Sequence, residues 1–120
     1  MEQSDATLYY YFINRGTGMN LTKREMGDYI IFDLEEDISY TNAEELDSQI
    51  MAGSRRGKEK VVLNIQKVEY VNSFALGVLL KTMQNIQTKG GDFFLMNPSE
   101  AVMTLLKVTG VHGKFKFFQG

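Results

Sequence analysis

Apolar residues along this chain change period several times, and each change marks a predicted element. Val61, Val62, Leu63 and Ile65 form a nearly continuous β-branched and aliphatic run, the pattern of a strand covered on both faces. After Ser73 the spacing changes to three and four, through Leu76, Leu79, Leu80, Met83 and Ile86, which is one stripe of a helix. The switch falls at Asn72-Ser73 and predicts a sharp turn there, with the Ser73 hydroxyl capping the first helical turn. Lys89-Gly90-Gly91 then ends the helix, and Asp92–Met96 reads as a short apolar strand. A helix between two such strands predicts a right-handed crossover and a parallel pair.

The same reading extends to both sides. Thr7–Ile13 is aromatic and strand-like until Asn14-Arg15-Gly16-Thr17-Gly18 breaks it, so it is either an added edge strand or a flexible aromatic arm. Left uncovered, it is a candidate contact for a homodimer. Leu21–Met26 alternates, Gly27-Asp28 has the form of a two-residue hairpin turn, and Tyr29–Leu34 follows as a strand ending in the acidic loop Glu35-Glu36-Asp37. A helix opens at Thr41-Asn42 with Glu45 completing a capping-box pattern, and runs through Ala43, Leu46, Ile50 and Met51 to Gly53-Ser54. Another follows Asn97-Pro98-Ser99-Glu100, with Val102, Leu105 and Leu106 as its stripe and Val108 at its margin, before Gly110. Lys114–Phe118 alternates like a half-buried edge strand. The fold expected is α/β: a single domain over 21–120 with a central mixed sheet of four to five strands and helices mainly on one face, preceded by a β extension over 1–20.

Composition narrows the function classes. At 120 residues, with 43% apolar and 23% charged residues, the chain can close one core without metal or disulfide. A formal net charge of -2 gives no basis for nucleic-acid or anionic-membrane binding, and the cluster Arg55-Arg56-Gly57-Lys58-Glu59-Lys60 reads as a solvated helix end. There is no Cys, hence no disulfide framework and no thiolate chemistry. No apolar run approaches a membrane span, and the acidic start MEQSDAT lacks the signature of a signal peptide, so the expected location is the cytoplasm.

Catalytic constellations are missing. His112 is the single histidine and lies in a Gly-flanked loop without a nucleophile pattern around it. Glu35, Glu36 and Asp37 lack the ordered spacing of a calcium loop, Glu44-Glu45 reads as helix surface, and Ala75-Leu76-Gly77 is too short to cradle a pyrophosphate. The expectation is no enzyme activity, no metal and no cofactor.

With those residues in view, the chain resembles the STAS domain family, and within it the free-standing bacterial anti-sigma factor antagonists. The resemblance covers about Leu21 to Phe118. Its strongest part is VVLNIQKVEYVNSFALGVLL, similar to the family's strand, Asp-Ser-Ser/Thr-Gly-Leu-Gly turn and helix. KGGDFFLMNPSEAVMTLLKVTG resembles the next strand and Leu-rich helix, and LEEDISYTNAEEL resembles the family's Leu-x-Gly-Glu-Leu-Asp loop with the helix after it. The resemblance implies a module that binds an anti-sigma factor with serine-kinase activity and is switched by phosphorylation of Ser73, with a phosphatase as the reversing partner. Asn72 stands where the family usually has Asp, Phe74 and Ala75 replace Ser/Thr and Gly, and Leu76 and Gly77 match. In the earlier loop Glu36 replaces Gly, Asp37 matches the acidic position, and Ser39 stands where Asp is usual.

The partner-binding surface implied is Asp37, Ser39, Tyr40 and Thr41 together with Asn72, Ser73, Phe74, Ala75 and Gly77. A phosphate on Ser73 would lie at the positive end of a helix dipole and change the charge at the centre of that surface. Phe74 is either an exposed anchor for a partner or a buried lock between helix and sheet. The neutral Asn72 and Ser39 motivate a rival reading, a STAS scaffold or interaction module in a bacterial signalling complex that does not switch.

Overall fold

The computed structural model describes residues 9–12, 18–54 and 59–118, the first of these as backbone only. The expected turn at Asn14–Thr17 and the basic residues Arg55–Lys58 lie outside the described residues. β1 (Tyr9–Phe12), β2 (Leu21–Met26) and β3 (Tyr29–Leu34) form an antiparallel meander. Gly27 has φ 60, a value open to glycine, and lets the β2–β3 hairpin close in two residues. From β3 to β5 each strand is followed by a helix, giving α1 (Ala43–Gly53), β4 (Lys60–Asn64), α2 (Ser73–Thr88), β5 (Asp92–Met96) and α3 (Glu100–Val108), and the described residues close on β6 (Lys116–Phe118). A short 3₁₀ turn at His112–Lys114 leads into β6. β3 to β6 pair in parallel, and the whole forms one mixed sheet in strict chain order, β1-β2-β3-β4-β5-β6.

Strict order has a consequence for layering. Successive crossovers that move the same way across a sheet with the same hand leave their helices on one side. Alternation along the strands supplies the matching face: Ile30, Phe32 and Leu34 of β3, Val61 and Leu63 of β4, and Phe93 and Leu95 of β5. They pack in one buried cluster with Leu46 and Ile50 of α1, Leu76, Leu79, Met83 and Ile86 of α2, and Val102 and Leu106 of α3. Burying each such side chain is worth about 1.5–3 kcal/mol, which makes this cluster the main source of stability. Gly53, the last residue of α1, is packed so closely that an added Cβ would come within 2.8 Å of the Phe32 ring.

The helix-free face has a second, smaller core. Ile31, Val62 and Met96 point to that side and are buried there, with Val62 fully inaccessible. Their cover includes aromatic rings of the sheet itself. Phe118 of β6 meets Tyr29 of β3 edge-on at 5.2 Å, across the two intervening strands, and meets Phe94 of β5 at 5.9 Å. The rings therefore lean over the sheet as a roof rather than standing up from it. Lys60 lies 5.3 Å from the centre of the Tyr29 ring, Lys116 lies 5.9 Å from that of Phe94, and Lys116 also pairs with Asp92. Expectation and structure agree that β4 is covered on both faces, once by helices and once by rings.

Three local expectations are corrected. The capping box at α1 does not form, because the Asn42 side chain turns away from the helix to organise the preceding loop. Val108 is 79% exposed, since α3 ends there and its stripe has already turned off the sheet. Ser73 is the first residue inside α2, and the cap is Asn72, whose Oδ1 accepts from the Ala75 N–H at 2.8 Å. No helix among the described residues is long and apolar enough to cross a membrane.

Candidate functional site

Parallel strands release their loops at one edge of a sheet, and the loops after β3 and β4 meet there. They are joined by more than proximity. Ile38 and Val71 form a parallel bridge, with Ile38 N–H donating to the Tyr70 carbonyl at 3.0 Å and Asn72 N–H donating to the Ile38 carbonyl at 3.2 Å. Asp37 adds a clamp: its Oδ1 accepts from the Glu69 N–H at 2.8 Å and from the Tyr70 N–H at 3.1 Å. Ile38 and Val71 are buried, so in this short extended pairing their neighbours Asp37, Ser39, Tyr70 and Asn72 project outward.

The first loop is held by Asn42. Its Oδ1 accepts from the Ser39 N–H at 2.9 Å, and its amide donates to the Glu36 carboxylate at 3.0 Å and the Asp37 carbonyl at 2.8 Å. Ser39 and Thr41 join their hydroxyls at 2.8 Å. The acidic bend is thus an ordered hydrogen-bonded unit rather than a loose solvated run. The second loop delivers Asn72 and Ser73 to the start of α2. Ser73 is exposed, and its hydroxyl has no hydrogen-bond partner among the described residues. A group added to that oxygen would displace no internal bond.

Of the sequence-predicted surface residues, Asp37, Tyr40, Thr41, Ser73, Phe74 and Gly77 are exposed, and Ser39 and Asn72 are partly so. Phe74 is 49% exposed, so of the two roles open to it in the sequence, the lock against the sheet is not the one its ring adopts. Ala75 departs from the expectation: its methyl is fully buried beneath the turn, because α2 must set its inner face on the sheet within its first turn. It supports the surface from inside and cannot touch a partner through its side chain. Gly77 is the opposite case, since a Cβ there would meet nothing within 4 Å. A glycine in a helix interior costs about 1 kcal/mol against alanine, and no internal contact requires this one.

Sequence reasoning missed Tyr70 and Glu69. Tyr70 is 58% exposed and Tyr40 is 71% exposed; together with Phe74 they are three of the four large apolar side chains most exposed among the described residues. The signal for Tyr70 lay in its place directly before the buried Val71, where alternation turns it outward.

Other features are less suited to chemistry. A recess of about 420 Å³ on the helix-free side is lined by Thr22, Asp33, Leu34, Glu35, Asn64, Gln66 and Lys67. Of its two carboxylates, Asp33 is held by a two-pronged bond from Arg24 at 2.6 and 2.9 Å and by the Asn64 amide at 2.8 Å. His112 stacks on Phe117 at 5.2 Å. Among the described residues no three His, Asp or Glu side chains converge as metal ligands. Between α1 and α2, the buried Thr82 hydroxyl donates to Asp47, and Lys81 reaches Glu44 at 2.9 Å. The bond to Glu44, aided by the charge of Asp47, raises the Lys81 ammonium above its ordinary pKa of 10.5 despite some desolvation.

The STAS domain sequence profile matches residues 20–120. The chain belongs to the STAS domain family. A Thermotoga maritima protein assigned provisionally as an anti-sigma factor antagonist is 33% identical over 63 residues, 52% of this chain and 56% of that relative, so the match spans little more than half of the relative's length. A crystal structure from Thermotoga maritima with the same provisional assignment superimposes with a TM-score of 0.72 at 24% identity, covering 82% of this chain and 84% of the other. The unphosphorylated form of the anti-sigma factor antagonist SpoIIAA gives a TM-score of 0.63 at 14% identity, over 95% of this chain and 88% of that one. At these identities the structural likeness speaks to the fold alone. The STAS chain described here shares the antagonists' fold, and its bridged loops are the feature on which a function can be argued.

Proposed function

We propose that this STAS protein is an anti-sigma-factor-antagonist-like regulator that docks on an anti-sigma factor with serine-kinase activity. The docking surface is the pair of bridged loops with the start of α2, and phosphorylation at Ser73 releases the partner until a phosphatase reverses it. The observation that carries the proposal is the exposed, internally unbonded Ser73 hydroxyl at the first position of α2, joined through Asn72 to the acidic loop. A phosphate there meets helix N–H groups and the positive end of the dipole, so the fold tolerates it. Docking does not tolerate it. Next to the exposed Phe74, the phosphate would have to shed water at the centre of the interface, at a cost of several kcal/mol.

Gly77 supports the same reading. One helical turn beyond Ser73 and without a side chain, it lets a partner's backbone approach the site closely. The neutral Asn72 caps α2 as an Asp would, while adding no repulsion against a phosphate.

The rival is a STAS interaction module that docks without switching, favoured by that same neutral Asn72 and by Ser39. Mass spectrometry of protein purified from its own cells separates the two: phosphate on Ser73 under growth or stress is the expected result. Its absence under both, with a partner still bound, would establish the non-switching module.

A further inference from the structure

We propose that the patch formed by Tyr40, Tyr70 and Phe74 with the carboxylates of Glu36, Asp37 and Glu69 docks a protein surface that presents arginine or lysine side chains around an apolar anchor. Tyr70 is then a principal contact. The inference rests on the docking role given above to the bridged loops and names the chemistry of the partner they take.

Exposure is the first observation. Three large aromatic side chains, 71%, 58% and 49% exposed, project from two loops that hydrogen bonds tie together, Tyr40 and Tyr70, and from the first turn of the helix that the second loop leads into, Phe74. Tyr and Phe in such a position leave apolar area in water that a partner could cover, and aromatic residues dominate the energetics of interfaces. The aromatic rings on the helix-free face, by contrast, are already packed against one another.

Charge is the second. The two loops carry four carboxylates, Glu35, Glu36, Asp37 and Glu69, against one cation, Lys67. Such a surface repels phosphate, which rules against a nucleic acid or an anionic bilayer as the occupant, and it attracts a basic protein face. Arginine satisfies both halves of the patch, because its guanidinium can lie over a tyrosine ring while forking to a carboxylate. Backbone order is the third. The Asp37 clamp fixes the Tyr70 backbone before any partner arrives, so docking orders little that is not already held.

The arrangement also separates attraction from switching. The cations would meet carboxylates at the rim, whereas a phosphate on Ser73 would sit beside Phe74 near the apolar centre.

The test uses isotope-labelled full-length protein and two short peptides of equal apolar content, one carrying arginines and the other glutamates in their place. The arginine peptide should shift the amide signals of Tyr40, Glu69, Tyr70 and Phe74, and should weaken as salt is raised. The glutamate peptide should leave them unchanged. Tyr70→Ser and Tyr40→Ser, with signals elsewhere unmoved, should each weaken the arginine peptide by about tenfold. No shift with either peptide, equal shifts with both, or binding unaffected by both tyrosine variants overturns the proposal. Ser73→Asp distinguishes this inference from the switch: tighter binding of the arginine peptide by that variant supports the basic-partner assignment and counts against phosphate-driven release.

Discussion

Two groups of aromatic side chains decorate this sheet, and they are used in opposite ways. Tyr29, Phe94 and Phe118 turn inward over Ile31, Val62 and Met96 and close the helix-free face as a roof. Tyr40 and Tyr70 turn outward from loops that are themselves fixed by hydrogen bonds, and Phe74 from the first turn of α2 beside them. Rings with an aliphatic floor beneath them contribute to stability. Rings left largely in water contribute less to the fold and leave apolar area that a partner could cover.

The comparison is broken most forcefully at the roof. Phe118→Ala removes the ring that touches both Tyr29 and Phe94 and should lower stability by about 2 kcal/mol in a denaturation experiment, with partner affinity unchanged. A loss of affinity without a loss of stability would reverse the roles given to the two groups. The next effect is at the clamp. Asp37→Ala leaves the Glu69 and Tyr70 amides without their shared acceptor and should cost about 1–2 kcal/mol. It should also loosen the patch, seen as faster hydrogen exchange at those two amides.

A smaller effect of opposite sign belongs to Gly77. Gly77→Ala enters open space and should raise stability by about 0.5–1 kcal/mol while weakening docking, a combination that only a partner's close approach explains. The smallest effect is at Lys81, outside both groups. A raised pKa means that its contribution is complete below about pH 10.5 and is lost as pH climbs through the higher folded value. Wild type and Lys81→Met should therefore show parallel, offset stability profiles from neutral pH to about pH 9, and converge only in strong alkali.

Much of this was legible in the residues. The shift from a continuous apolar run to a three-and-four spacing placed β4 and α2, and Gly27-Asp28 placed the hairpin, because both signals are local. The position of the α2 cap was not legible to the residue: Asn72 and Ser73 are both capping side chains, and only the backbone settles which one stands outside the helix. Asn42 misled for a related reason, since its amide serves the loop before α1 instead of the helix after it. The ring roof was hidden because it joins β3 to β6, strands far apart in sequence with no pattern linking them. Tyr70 was overlooked because its exposure depends on the bridge between Ile38 and Val71, a long-range pairing.

Ser73 remains the point on which the functional account turns. Its most direct test is the affinity of Ser73→Ala and Ser73→Asp for the same anti-sigma factor, measured by calorimetry with both variants folded. The account predicts that Ser73→Ala binds like the wild type and that Ser73→Asp binds about a hundredfold more weakly, the equivalent of about 2.7 kcal/mol. Equal affinity of the two variants would contradict it.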